Sequence, residues 1–216
     1  RTELIDDIIK PYIVKMTQAE AGIDTQIKEV FLHVKTPGSI QAFATKLLNN
    51  KVIKLHESNK YIMADTPTKM QTKIHQILNG TCLVEDEHGA TEPIIISNFK
   101  VDFIKEKFKD KKIIVMYYYQ SERKMLEEAG IDCIQQSSTE GVNLSEYDAI
   151  VYLNFGFSGK NFVQSRDRLS SVTRTKENII YFIFEEKGIN EKIYNRVSKK
   201  QDFNLIAFKK DYETKR

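Results

Sequence analysis

Three side chains along one short segment are suited to work on a phosphate. In F-V-Q-S-R-D-R-L-S-S-V-T-R (162–174), Gln164, Arg168 and Ser171 fall within about 60° of one another on an ideal helix. A guanidinium on such a stripe is rigid and permanently charged. It matches the negative charge that spreads over the oxygens of a phosphoryl group during transfer. Arg168 is the candidate for that role. Arg174 lies six residues on, about 240° around an ideal helix, and can join it only if the helix ends near Val172. Upstream, I-Q-Q-S-S-T-E-G-V-N-L (134–144) is a polar loop in which Gln135, Gln136, Ser138, Thr139 and Asn143 offer amide and hydroxyl groups. Gly141 lets the backbone of such a loop approach a phosphate closely. The plainer reading stands beside this one: Gly141 relieves a turn, Asn143 caps one, and Gln164 and Arg168 are solvated helix residues.

An α/β scaffold is needed to bring these segments together. A-I-V-Y-L (149–153) is apolar at every position, as expected of a parallel strand covered on both faces. Ligands of such sheets gather at the carboxyl ends of the strands, where Gln135, Gln136 and Asn154 would lie, and Ser158 is placed to cap the following helix. Further strands are expected over 25–36, 113–119, 131–134 and 179–184. Between them come helices over 97–109, with Val101, Ile104 and Phe108 inward, and from a Ser121 cap to Gly130. A last helix presents Ile189, Ile193 and Val197. Alternating strands and helices require crossovers, hence an open, mostly parallel sheet.

The amino-terminal part reads differently. Leu4, Ile5, Ile8 and Ile9 form a helical stripe ended by Pro11. Pro37 opens a helix lined by Ile40, Phe43, Ala44, Leu47 and Leu48; residues 52–55 and 61–64 read as a hairpin; and a helix over 67–79 stops at Gly80. E-D-E-H-G-A-T-E-P (85–93) is turn-rich and the best internal boundary. Phe203, Leu205, Ile206 and Phe208 suggest that the tail docks before its basic end frays.

E-G-V-N-L (140–144), D-A-I-V-Y-L-N (148–154) and Q-S-R-D-R (164–168) resemble motifs V and VI of the second RecA-like domain of superfamily-two helicases. The Swi/Snf-like branch, including its phage-encoded members, is the nearest. I-I-V-M-Y-Y-Y-Q (113–120) resembles motif IV, and K-P-Y-I-V-K-M-T-Q-A-E (10–20) is similar to the segment by which such proteins leave their first motor domain. H-Q-I-L-N-G-T (75–81) is similar to a stretch of the phage-encoded relatives.

The resemblance implies a connector over 1–95, a RecA-like helicase C-terminal domain over 96–200 and a tail over 201–216. It implies ATP and Mg held mainly by the first RecA-like domain of the same parent chain, with Arg168 and Arg174 reaching the nucleotide and Gln164 and Gly141 beside it. Gln135, Gln136, Ser138, Thr139 and Asn143 would hold the backbone of DNA, a duplex rather than RNA. Two departures stand out. Ser171 occupies the family's usual second-arginine position, and only residues 121–136 separate motif IV from motif V, so the sheet should be pared down. The implied function is the C-terminal motor domain of an ATP-dependent DNA helicase or translocase. The alternative is a hydrolysis-deficient RecA-like module that binds nucleic acid or a protein partner.

Composition narrows the field further. In 216 residues, 41% are hydrophobic and 29% charged, and the net charge of +3 permits nucleic-acid binding without requiring it. Cys82 and Cys133 lack metal spacing and read as reduced thiols of an intracellular, cytoplasmic protein. His33, His56, His75 and His88 have no spacing that suggests metal ligation or a catalytic dyad. F-S-G-K-N (157–161) fails the phosphate-loop pattern at both ends, so the chain has no ATP cradle of its own. Lys105, Lys107, Lys109, Lys111 and Lys112 read as a solvated face, and alternate rings of Tyr117, Tyr118 and Tyr119 as core. No apolar run approaches the length of a membrane span, and the first residue is not Met, as in a piece of a longer protein.

Overall fold

A computed structural model describes residues 27–55, 59–138, 142, 144, 146–167 and 178–213. The five strands expected over 25–36, 113–119, 131–134, 149–153 and 179–184 form one all-parallel sheet. These are β1 (Ile27–Val34), β6 (Ile113–Tyr117), β7 (Cys133–Gln135), β8 (Ala149–Tyr152) and β9 (Asn178–Glu185), in the order β1-β9-β8-β6-β7. Side chains alternate across it. Ile114, Met116, Ile150, Tyr152, Phe182 and Phe184 enter one core, whereas Val115, Tyr117, Val151, Leu153 and Ile183 enter the other. The first core is closed by α1 (Gly38–Asn50), α2 (Pro67–Leu78), α5 (Gly159–Asp167) and α6 (Asn190–Val197), and the second by α3 (Phe99–Lys107) and α4 (Gln120–Glu128). No helix among the described residues is long and apolar enough to cross a membrane.

A second, antiparallel sheet runs β2 (Val52–Lys54), β3 (Tyr61–Met63), β4 (Thr81–Glu85) and β5 (Thr91–Ile95). The expected hairpin is β2-β3. The turn-rich stretch 85–93 carries the turn of a second hairpin, β4-β5, in which Asp86 Oδ1 accepts from the His88 and Ala90 amides. T-E-P-I-I is hard to recognise as a strand because it contains Pro93, which is tolerated only because β5 is the sheet's edge. β1 precedes this small sheet in the chain yet forms an edge of the large one, and Ile53, Ile62 and Val84 share a core with Ile150 and Phe182.

Three local expectations need correction. Ser121 does not cap α4: it lies inside the first turn, and its hydroxyl meets that of Thr81 at 2.9 Å. The Glu122 carboxylate reaches back instead, accepting from the amides of Tyr118 and Tyr119 at 3.0 and 2.9 Å. Because those amides are taken, β6 ends at Tyr117 rather than at Tyr119. In the tail, Phe203, Ala207, Phe208 and Tyr212 are buried, but Leu205 and Ile206 are 38% and 77% exposed. The short helix α7 (Leu205–Phe208) turns that pair outward while docking its neighbours. Phe208→Ala should therefore cost about 3–5 kcal/mol in urea unfolding followed by circular dichroism, and Ile206→Ala no more than about 0.5 kcal/mol.

Candidate functional site

At the carboxyl rim of the large sheet, β7 delivers Gln135 and continues into a 3-10 turn, Gln136–Ser138. β8 delivers Leu153 and Asn154, and the chain re-enters the fold as α5. Between turn and helix is a cleft of about 260 Å³. Gln135, Gln136 and Ser137 line one side, Ser158, Asn161, Gln164 and Ser165 the other, with Tyr118, Gly156 and Phe162 completing it. The structure thus brings Gln135 and Gln136 together with Gln164, which is exposed on α5. Ser138 is exposed at the end of the turn and does not line the cleft. Arg168, Arg174, Gly141, Thr139, Asn143 and Ser171 lie outside the described residues.

The two glutamines differ. Gln135 accepts from Gln120 Nε2 at 2.8 Å at an exposed position. Gln136 is only 9% exposed, and its amide donates inward to the Asn154 carbonyl at 2.8 Å. It braces the rim from within. Arg166 turns away from the cleft and pairs with Glu29 of β1 at 3.2 Å.

The start of α5 is closed to a phosphate. Ser158 Oγ accepts from the Asn161 amide at 3.4 Å, as a cap should, and the Gly159 amide donates to Asp202 Oδ1 at 2.9 Å. A Cβ on Gly159 would stand 2.5 Å from the Lys200 carbonyl carbon and 2.6 Å from the Gln201 nitrogen, so only glycine fits beneath the tail. The carboxylate already sits at the helix's positive end, so the F-S-G-K-N turn does not fit a triphosphate.

Behind the rim is a buried polar network that pattern reading missed. Lys100 of α3 is fully buried; its Nζ meets Glu185 Oε2 at 2.8 Å, Asn79 Oδ1 at 2.5 Å and the Leu153 carbonyl at 3.2 Å. Asn190 Nδ2 donates to Asn79 Oδ1 and Glu185 Oε2, both at 2.8 Å. Asn190 Oδ1 is left to accept from His75 Nε2 at 2.7 Å, which assigns the imidazole proton to Nε2 and leaves Nδ1 to accept from the Tyr119 hydroxyl at 3.0 Å. Glu185 Oε1 takes the amides of Ile189 and Asn190 at 2.6 and 3.0 Å. A Cβ on Gly188 would stand 2.0 Å from that carboxylate. Two signals were available: Lys100 lies four residues before Ile104 on the inward stripe, and Glu185 ends an otherwise apolar strand.

Burial governs how these groups titrate. It lowers the Lys100 ammonium, against the pull of Glu185. It would raise the Glu185 carboxyl, but Lys100 and the Asn190 amide outweigh it and hold that group below its ordinary value. It depresses the His75 imidazole to about 4. It also lifts the Glu122 carboxyl to about 7, despite donors from Tyr118, Tyr119 and the Asn154 amide.

No protein-family model matches the sequence, and none of the curated proteins does. Among solved structures, the Sulfolobus solfataricus SWI2/SNF2 ATPase core in complex with dsDNA aligns with a TM-score of 0.51 at 13% identity, over 99% of this chain and 54% of that one. The fold is the RecA-like fold of Snf2 ATPase domains. The Sulfolobus solfataricus SWI2/SNF2 ATPase core domain aligns with a TM-score of 0.46 at 12% identity, over 90% of this chain and 48% of that one. The C-terminal part of the Fun30 ATPase domain gives 0.41 at 17%, over 51% and 48%. The chain spans about half the length of the solved structures it matches.

Breaking the buried pair from one side should be costly. Lys100→Ala is expected to lose about 3–5 kcal/mol in denaturant unfolding, and Lys100→Met with Glu185→Met less than the two single changes summed. A second expectation concerns pH. Because the folded protein holds the Glu122 proton more tightly than the unfolded chain, stability falls as pH rises from about 4.5 to about 7 and is level above. His75 acts oppositely between about 4 and 6.5, since there the unfolded chain binds the extra proton. The difference between wild type and Glu122→Gln cancels the His75 contribution. It should change by on the order of 3 kcal/mol across the Glu122 window, measured by urea unfolding at successive pH values.

Proposed function

We propose that this chain is the C-terminal motor domain of an ATP-dependent DNA translocase or helicase of the Swi2/Snf2 type. The observation that carries the reading is the meeting of Gln164, which opens Q-S-R-D-R, with Gln135 and Gln136 on one rim cleft. The turn just before the segment that resembles motif V thereby shares one cleft with the opening of the segment that resembles motif VI. Since the F-S-G-K-N turn does not fit a triphosphate, the phosphates and Mg belong to a first RecA-like domain facing this rim. ATP bound there supplies the phosphoryl group to be transferred. Arg168, with Arg174, contributes fixed positive charge to the closed site, and Gln164 and Gly141 lie beside the nucleotide. Gln135, Gln136, Ser138, Thr139 and Asn143 follow the backbone of a DNA duplex.

Ser171 favours a second reading, in which the same fold binds DNA or a protein partner without turnover. Salt-dependent DNA affinity in a full-length protein that hydrolyses no ATP would support it. On the first reading, Arg168→Ala in the full-length protein should reduce DNA-stimulated ATP hydrolysis by about 10³-fold or more while nucleotide binding persists. Unchanged turnover removes Arg168 from the mechanism.

A further inference from the structure

We infer that the rim cleft is a nucleobase-binding site, with the ring of Tyr118 as its stacking platform. The chemistry of the lining points there. None of the described side chains around the cleft is charged: they are amides, hydroxyls, two aromatic rings and a glycine. Such a surface can hydrogen-bond a phosphate at its edge but supplies no charge of its own. It offers a planar neutral heterocycle an aromatic face and groups that can both donate and accept at its edge.

Tyr118 is held as a platform must be held. Its ring is 37% exposed, packs edge-on against Tyr119 at 4.9 Å between centroids and leans on Phe157 at 6.4 Å. Gly156 lies directly against it, and a Cβ there would stand 2.7 Å from the ring. The backbone on either side of the side chain is fixed too, since the Tyr118 amide is bound by Glu122 and the Tyr118 carbonyl accepts from Gln135 Nε2 at 3.4 Å. Gln135, Asn161 and Gln164 surround the ring with amide groups able to meet the edge of a base.

The choice of a nucleobase among planar heterocycles rests on the motor reading above. The base comes either from a DNA strand or from the nucleotide. The full-length protein is titrated, without nucleotide, with a labelled single-stranded oligonucleotide and with an abasic strand of equal length. It is then titrated with ATP and with ribose 5′-triphosphate. Stacking predicts roughly tenfold or greater preference for the base-bearing member of one pair. Tyr118→Ala should abolish that preference and Tyr118→Phe keep it, with circular dichroism showing both variants folded. A preference confined to the oligonucleotides assigns the base to DNA, and one confined to ATP assigns it to the nucleotide. Both results support the site. Equal affinity within both pairs, or a preference that survives Tyr118→Ala, overturns it. This experiment reads the binding of base-bearing and base-free ligands whereas the Arg168→Ala experiment reads turnover, so failure of the one and failure of the other are separable.

Discussion

A single buried ammonium organises this fold. Lys100 is surrounded by oxygens from α2, the end of β8 and the end of β9, and the Glu185 carboxylate that balances it is also gripped by the start of α6. Removing two charges from water is expensive, and an apolar set of the same volume would stabilise the protein at least as well. What the ionic arrangement adds is geometry. Its donors and acceptors meet only when five elements, α2, α3, β8, β9 and α6, stand in one relation across both sides of the sheet. Gly188 is part of that condition, because any side chain there would occupy the space of the carboxylate.

The network continues toward the cleft. Glu122 binds the amides that end β6 and also accepts from the Asn154 side chain, while the Asn154 carbonyl receives Gln136. Tyr118, just past β6, and Gln136, just past β7, are therefore positioned by one carboxyl. Asn154 Oδ1 is buried with no hydrogen-bond partner among the described residues.

The centre of the large sheet was legible because β6, β8 and most of β9 are apolar runs, a signal that survives without knowledge of neighbours, whereas the edge strand β1 showed only as an alternation. That Gln164 faces outward from α5 was legible from helical spacing together with the resemblance of Q-S-R-D-R to motif VI. β4 and β5 were not, since a five-residue strand with a proline and a polar turn looks like a linker until its partner is known. The ionic core was hidden for a different reason: a lysine on a helix is usually solvated, and only its pairing with a glutamate 85 positions away makes it interior. The resemblance to motifs V and VI marked the rim, but Tyr118 could be separated from Tyr117 and Tyr119 only by observing which ring stays exposed.

The anchoring of α5 beneath the tail has a mechanical meaning. Its first amide is held by Asp202, and the Phe203 amide donates to the Phe157 carbonyl at 2.8 Å, so residues before the helix and residues past α6 are latched together twice. The helix that carries Gln164 cannot tilt unless the carboxyl-terminal segment travels with it. Pulling the tail away at the exposed Leu205–Ile206 corner would therefore load both of these hydrogen bonds, and with them the start of α5.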